Sequence, residues 1–378
     1  MIRWDKGSPE FISPDGDFSF RPKGRLLMDA STTSGSRFDQ RNITGTEVRA
    51  LRLGVEGTMG RRLGYTLEVD FADNNPLVRG AYLVWKDRWQ GTDVEITLGN
   101  RLSERTIEGS SSSDATPFME RNATASAITP LKGFYGLGVL AKAYGPDWHI
   151  AAQVAGEDVN NPGDGRDSLT YMLRGHWNPV KTKTAAIHLG AWSFYEDFAP
   201  SVTSVSRNSY WAGHFNDNLQ VALGALPGPR DGVGYGVELG GVRGPGWAFL
   251  EAGRRRINTA SDHVDVEAIA ISAGWVLTGE APAYTARGGT FSKARLLEPV
   301  SKGGAGSWEI AARYQLLDNT DAPVGGKGEE VTLGVNWRLE EWVRVMLNLS
   351  HWEVEQRTGP FLGSDSGNSL AGRMQISF

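Results

Sequence analysis

The chain predicts an all-β protein, a sixteen-stranded antiparallel transmembrane β-barrel with an inward-folded third loop. Three observations carry that expectation. Apolar and polar residues alternate with period two along most of the 378 residues. The alternating stretches are long enough to cross a bilayer at a tilt. Their connections switch between tight polar turns and long stretches rich in Ser, Gly and Asn.

The alternation begins early. Tyr65, Leu67, Val69 and Phe71 lie opposite Thr66, Glu68 and Asp70, and Val94, Ile96 and Leu98 lie opposite Glu95 and Thr97. It continues with Trp148, Ile150, Ala152 and Val154 against His149 and Gln153, and with Trp308, Ile310, Ala312 and Tyr314 against Glu309 and Arg313. Read throughout, it gives strands at 24–31, 47–57, 62–72, 79–86, 93–101, 134–144, 147–156 and 168–177. The second half adds 184–194, 232–240, 247–256, 265–278, 307–316, 329–338, 342–353 and 369–378. A soluble β-sandwich module is the alternative class, but its strands run about five or six residues. Tyr144, Trp148, Trp177, Trp308, Trp337 and Trp342 fall near strand ends, where interfacial aromatic girdles sit. The last strand alternates to a terminal Phe378.

Composition narrows the function classes. No uncharged apolar run approaches the roughly 20 residues of a membrane helix, and 13 Trp, 14 Phe and 10 Tyr are too much aromatic surface for a disordered chain. Zero cysteine removes disulfides, thiol catalysis and cysteine-ligated metals. A net charge of −5, without a long like-charge block, argues against nucleic acid as a partner. Met1 to Lys6 has no apolar core behind it, so the sequence reads as a processed or a cytosolic form. Six scattered histidines without HExxH argue against a zinc hydrolase, and no enzyme, cofactor or metal is expected. Asp158 to Gly163 begins like a calcium loop, but Leu169 stands where the bidentate acid belongs.

If the apolar parity faces lipid, the other parity lines a lumen. That inward set is Arg25, Arg52, Arg101, Lys142, Arg174, Arg255, Arg313, Arg338, Arg344 and Arg373, with Asp29, Glu56, Glu68, Asp70, Glu95, Glu238, Glu251 and Glu309. A dry core could not hold so many ionised groups, since each costs several kcal/mol to desolvate. The lumen is therefore expected to be wet, with charges either paired across strands or presented to solutes. Three segments fall outside the strand pattern: the N-terminal 1–17, a third long loop over 102–133, and a long extracellular loop over 196–231.

Several short segments resemble one family. They are Phe18 to Leu26, Gly54 to Gly57, Tyr65 to Asp70, Met119-Glu120-Arg121-Asn122, Leu277 to Glu280, Gly306 to Glu309 with Arg313-Tyr314, and Thr332 to Trp337. In that order they resemble the phosphate-selective porins of the O and P type from Gram-negative outer membranes. The resemblance implies a homotrimer of barrels among outer-membrane lipid and lipopolysaccharide, whose third loop narrows the pore and whose constriction binds small anions. Arg25 stands at the family's pore-lining arginine and Arg49 at the first of its paired constriction arginines, while the second position is Ala50. Parity puts Arg49 on the face of Leu51 and Leu53, so it reaches the lumen only if the strand end bends inward. Arg52 has inward parity and substitutes for it. Asp114 stands where the family has a third-loop lysine, and Arg287 and Lys293 remain after the Leu-Thr-Gly-Glu segment. The expected anion site is Arg25, Arg49, Arg52 and Arg121. The expected function is passive diffusion of small hydrophilic solutes with an anion preference, phosphate or polyphosphate, against a general or cation-tolerant pore. Lipid-facing Gly175, Ala185 and Ala191 mark flanks for subunit packing.

Overall fold

In a bilayer every backbone N–H and C=O must find a partner within the protein, and a closed sheet satisfies them all. The computed structural model describes residues 1–5, 7–160 and 166–378, so the end of the calcium-loop-like stretch lies outside the described residues. Sixteen strands form the wall. They are β1 (Phe18–Ser34), β2 (Thr44–Met59), β3 (Leu63–Asp70), β4 (Leu77–Trp89), β5 (Thr92–Leu102), β6 (Tyr135–Tyr144), β7 (Trp148–Ala155) and β8 (Leu169–Trp177). Then come β9 (Ala185–Asp197), β10 (Pro229–Arg243), β11 (Gly246–Thr259), β12 (His263–Val276), β13 (Ser307–Asp318), β14 (Gly326–Glu340), β15 (Val343–Gln356) and β16 (Gly363–Ser377). Each pairs antiparallel with the next, and β16 closes on β1 through Ser377↔Arg25 to Asn368↔Ser34. All sixteen expected strands are present, and the closed sheet excludes the sandwich.

Burial along the strands is inverted relative to a soluble protein. Leu67, Leu98 and Leu333 are 48%, 52% and 56% exposed, whereas Glu68 is 8% and Arg174 and Glu238 are 0%. The apolar parity therefore faces outward, where lipid replaces water. Trp148, Trp177, Trp308 and Trp342 face outward at the short-turn end, and the Trp308 and Trp337 rings stack at 5.1 Å. Tyr171, Tyr195, Tyr235 and Tyr314 form a matching outward belt near the other end. Tyr144 departs from the expectation. It shares the parity of Lys142, is 8% exposed inside the lumen, and lies 5.0 Å from the His149 ring.

The alternation of short and long connections is not strict, since only three residues, 260–262, join β11 to β12 at the long-loop end. Residues 277–306 join β12 to β13 at the end that otherwise carries tight turns, and they fold into the lumen. Tyr284 and Phe291 pack there against Phe249, at 5.0 and 5.7 Å between ring centroids. The insert between β9 and β10 also turns inward, burying Trp211, Leu219, Val221 and Leu226 against Trp352. At the N-terminus, Ile2–Asp5 and Ser8–Ile12 form a hairpin that pairs with β1 at Phe11↔Phe20.

The most deeply buried pair on the wall is Arg174 with Glu238, bidentate at 2.8 and 2.8 Å and 0% exposed on both sides. Removing Arg174 leaves the buried Glu238 carboxylate only the His188 ring at 2.9 Å, and Arg174→Met should cost about 3–5 kcal/mol. The measurement is the urea midpoint of barrel unfolding in detergent. Adding Glu238→Leu to Arg174→Met should recover much of the loss, and equal midpoints for the single variant and wild type would count against the pair.

Candidate functional site

The lumen is divided unequally by the segment between β5 and β6. Residues 103–134 fold inward and carry two short helices, α1 (Ile107–Ser110) and α2 (Ala123–Ala127). The side-chain oxygens of Thr106 and Asn122 cap them by accepting from Gly109 N and Ala125 N. A segment without regular structure must find partners for its carbonyls, and the wall supplies arginine. Arg313 donates to Glu120 O at 3.0 Å, Arg344 to Thr116 O at 2.8 Å, and Arg373 to Met119 O. Asn336 reaches Pro117 O at 2.9 Å, and Gln375 Nε2 reaches Asp114 O at 2.8 Å. On another face Glu196 accepts from Leu131 N, while Arg255 binds Thr129 O and Glu196. Most inward arginines of β11 and β13 to β16 thus hold the loop in place.

The opposite wall is different. A cavity of about 210 Å³ opens between the loop and β1 to β5. Arg25, Arg49, Arg52 and Arg121 all line it, joined by Lys23, Arg79, Arg101 and Arg373. Against these eight cations the lining contains two carboxylates, Glu68 and Glu120. Other carboxylates stand behind the guanidinium groups. Arg52 holds Asp70 at 2.9 Å and Glu68 at 3.1 Å, and Arg25 holds Asp114 at 3.1 Å along with the hydroxyls of Ser112 and Ser113. Arg101 pairs with Glu104 at 3.2 Å. Arg121 is held by neutral acceptors, donating to Glu108 O at 2.9 Å and Ser111 O at 2.7 Å.

Arg49 reaches the lumen by a route that parity misses. Leu27 pairs with Ala50 and Met28 with Val48, so Arg49 is the extra residue of a β-bulge. The bulge resets the alternation: Val48 and Leu51 both point out, 44% and 38% exposed, and Arg49 and Ala50 both lie inward. Arg79 is placed the same way, skipped between Glu68↔Gly80 and Val69↔Val78. The three-residue step from Val48 to Leu51 is the trace this leaves in the sequence. Lys23 and Tyr82 follow ordinary inward parity, while Glu120 lies in the loop, where no periodicity marks it.

A second, smaller cavity of about 30 Å³ lies toward the long loops, lined by Asp29, Ser31, Tyr210, His214, Arg313 and Glu330 among others. Both cavities share Met119, Glu120 and Arg121, so they meet at this tripeptide. Burial opposes the ionisation of Glu120, but Arg49 and then Arg373 outweigh it and hold the carboxyl below the usual carboxylate range. Across the lumen, His149, His176 and His188 stack at 5.2 and 4.7 Å, and the last meets Tyr284. That side is filled.

A closed barrel with apolar residues outside, charges inside and a loop narrowing its lumen defines a porin of the outer membrane. The chain belongs to the phosphate-selective porin O and P family, whose model matches residues 20–378. Fold and family make it a channel rather than an enzyme and place it in the outer membrane of a Gram-negative bacterium. A protein of Caulobacter vibrioides is 27% identical over 401 residues, covering 100% of this chain and 77% of the relative. Porin O of Pseudomonas aeruginosa is 23% identical over 408 residues, covering 99% and 91%. Among solved structures, Vibrio cholerae OmpT in its trimer form matches with a TM-score of 0.58 and 13% identity, over 96% of this chain and 100% of the other. An anion-selective porin from Comamonas acidovorans matches at 0.54 and 13%, also over 96% and 100%.

Arg344 tests the division of labour among arginines. Arg344→Met leaves the Thr116 carbonyl without its donor, at a cost of about 1–3 kcal/mol. Open-channel current noise in planar bilayers should rise, while the barrel's unfolding free energy falls by no more than that amount. A quiet channel with unchanged conductance would show that Arg344 does not hold the loop.

Proposed function

We propose that the protein passes small hydrophilic anions by diffusion along the β1–β5 wall, with a modest preference for phosphate or a related oxyanion. The observation that carries this reading is the lining of the larger cavity, eight cations against two carboxylates. Guanidinium suits the task because its planar fork offers paired donors to phosphate oxygens and stays charged at any working pH. The preference is modest because each of Arg25, Arg52 and Arg101 has a carboxylate within 3.2 Å. Among the described residues no carboxylate lies within 4.0 Å of the Arg121 guanidinium, so it presents more of its charge to the passage. A weakly selective general pore is the second reading, favoured by Asp29, Glu120 and Glu330 around the smaller cavity.

We also infer a homotrimer, supported by the trimer form of the structurally similar OmpT and by outward-facing Gly175, Ala185 and Ala191. Its mass in mild detergent is the direct check, and a monomer there would overturn it.

Selectivity is tested by the reversal potential across a KCl gradient. The expected result is a chloride-biased potential with phosphate block of the current, both weakened in Arg25→Ala and Arg52→Ala. A potassium-biased potential indifferent to phosphate would leave the barrel standing and remove the named solute.

A further inference from the structure

Where the two cavities meet, one carboxylate sits where a passing anion would bind. The Glu120 oxygens accept from Arg49 Nε at 2.9 Å and Arg49 Nη2 at 3.0 Å, the fork geometry that an oxyanion takes. Arg373 Nη2 adds a third donor at 2.8 Å. The pair is reachable: the side chains of Arg49 and Glu120 are 31% and 28% exposed, whereas Asp29, the other partner of Arg373, is 4%. Arg373 keeps Asp29, at 2.7 and 2.6 Å, if Glu120 swings away. Arg49 has no second carboxylate within 4.0 Å among the described residues, so the departure of Glu120 frees its whole fork. Its place on a bulge aims that fork into the passage.

We propose that Glu120 is a tethered stand-in anion: its carboxylate fills an oxyanion site made by Arg49 and Arg373, and a permeating anion passes by displacing it. The inference rests on the anion-diffusion reading above and deepens it at one residue. A transport site must bind weakly enough to release its ion. Exchange with a built-in carboxylate meets that need, because Arg49 is never left unpaired and each incoming anion recovers only the difference between two similar interactions. The same residue lowers anion preference, since it adds a fixed negative charge where the two cavities meet.

The test compares wild type, Glu120→Gln, Arg49→Gln and the double variant in planar bilayers, reading the chloride-to-potassium permeability ratio and the phosphate concentration that halves the current. Glu120→Gln keeps the shape and removes the charge. It should raise the ratio and tighten phosphate block roughly fivefold, the factor a unit charge about 4 Å away exerts on a monovalent ion in water-like dielectric. The double variant should lose that gain, because the freed site is Arg49 itself. Values within twofold of wild type for Glu120→Gln, or a gain that survives removal of Arg49, would overturn the proposal. Failure of the underlying reading is a separate observation, a potassium-biased wild type. Phosphate block that appears only in Glu120→Gln would then still support the stand-in, and its absence from both would remove it. If Glu120→Gln does not fold, as judged by heat-modifiable gel mobility, Glu120→Ala is read in the same way.

Discussion

Everything in this molecule follows from turning a sheet inside out. A bilayer offers no partner to a backbone amide, so the chain must close its ladder on itself, and the β16–β1 pairing does so. Once closed, the period-two pleat leaves only two environments. The apolar parity, as at Leu67, Leu98 and Leu333, goes to lipid, and strand arginines and glutamates within the apolar belt are sent to the interior. The interior then has a problem that a soluble core does not: it must hold many charges without stranding any.

The solution is spatially uneven. On β10 to β16 the inward arginines find carboxylates and the carbonyls of residues 103–134, so that charge becomes scaffold. Arg313 also lies over the Phe118 ring at 4.4 Å, fixing the loop through both its carbonyl and its aromatic side chain. On β1 to β5 the same residue type lines the larger cavity, even where Arg25 and Arg49 also reach Asp114 and Glu120 of the loop. The difference is not chemical but positional: the loop packs its carbonyls against one wall and leaves the larger cavity along the other. The aromatic cluster of Phe249, Tyr284 and Phe291 and the histidine stack complete the filling, confining the passage to the basic wall.

The fold was legible because a transmembrane strand obeys one rule for its whole length, and alternations such as Trp308 to Leu316 need no tertiary information. Sites were legible only where that rule held. Arg25 and Arg52 follow from parity, and the family resemblance added Arg49 and Arg121. Arg49 defied parity because a bulge inserts one residue, and only the phase slip between Val48 and Leu51 betrays it. Arg79 escaped notice for the same reason. Tyr144 was misplaced by its nearness to a turn although its parity matched Lys142. Glu120 and the inward course of 277–306 left no periodic trace, since loop conformation is decided by contacts with distant strands.

The central claim is that parity decides lumen against lipid while the loop decides which lumen positions meet solute. The natural absence of cysteine makes this directly measurable by single-cysteine variants treated with a charged thiol reagent in membranes. Thr66 and Thr332 both face inward, but Thr66 lines the larger cavity and Thr332 is 1% exposed behind the loop; Leu333 faces lipid. The account predicts fast modification of Thr66→Cys with a fall in conductance, and negligible modification of Thr332→Cys and Leu333→Cys. Equal rates at Thr66→Cys and Thr332→Cys would contradict it, because the lumen would then be open on both sides of the loop.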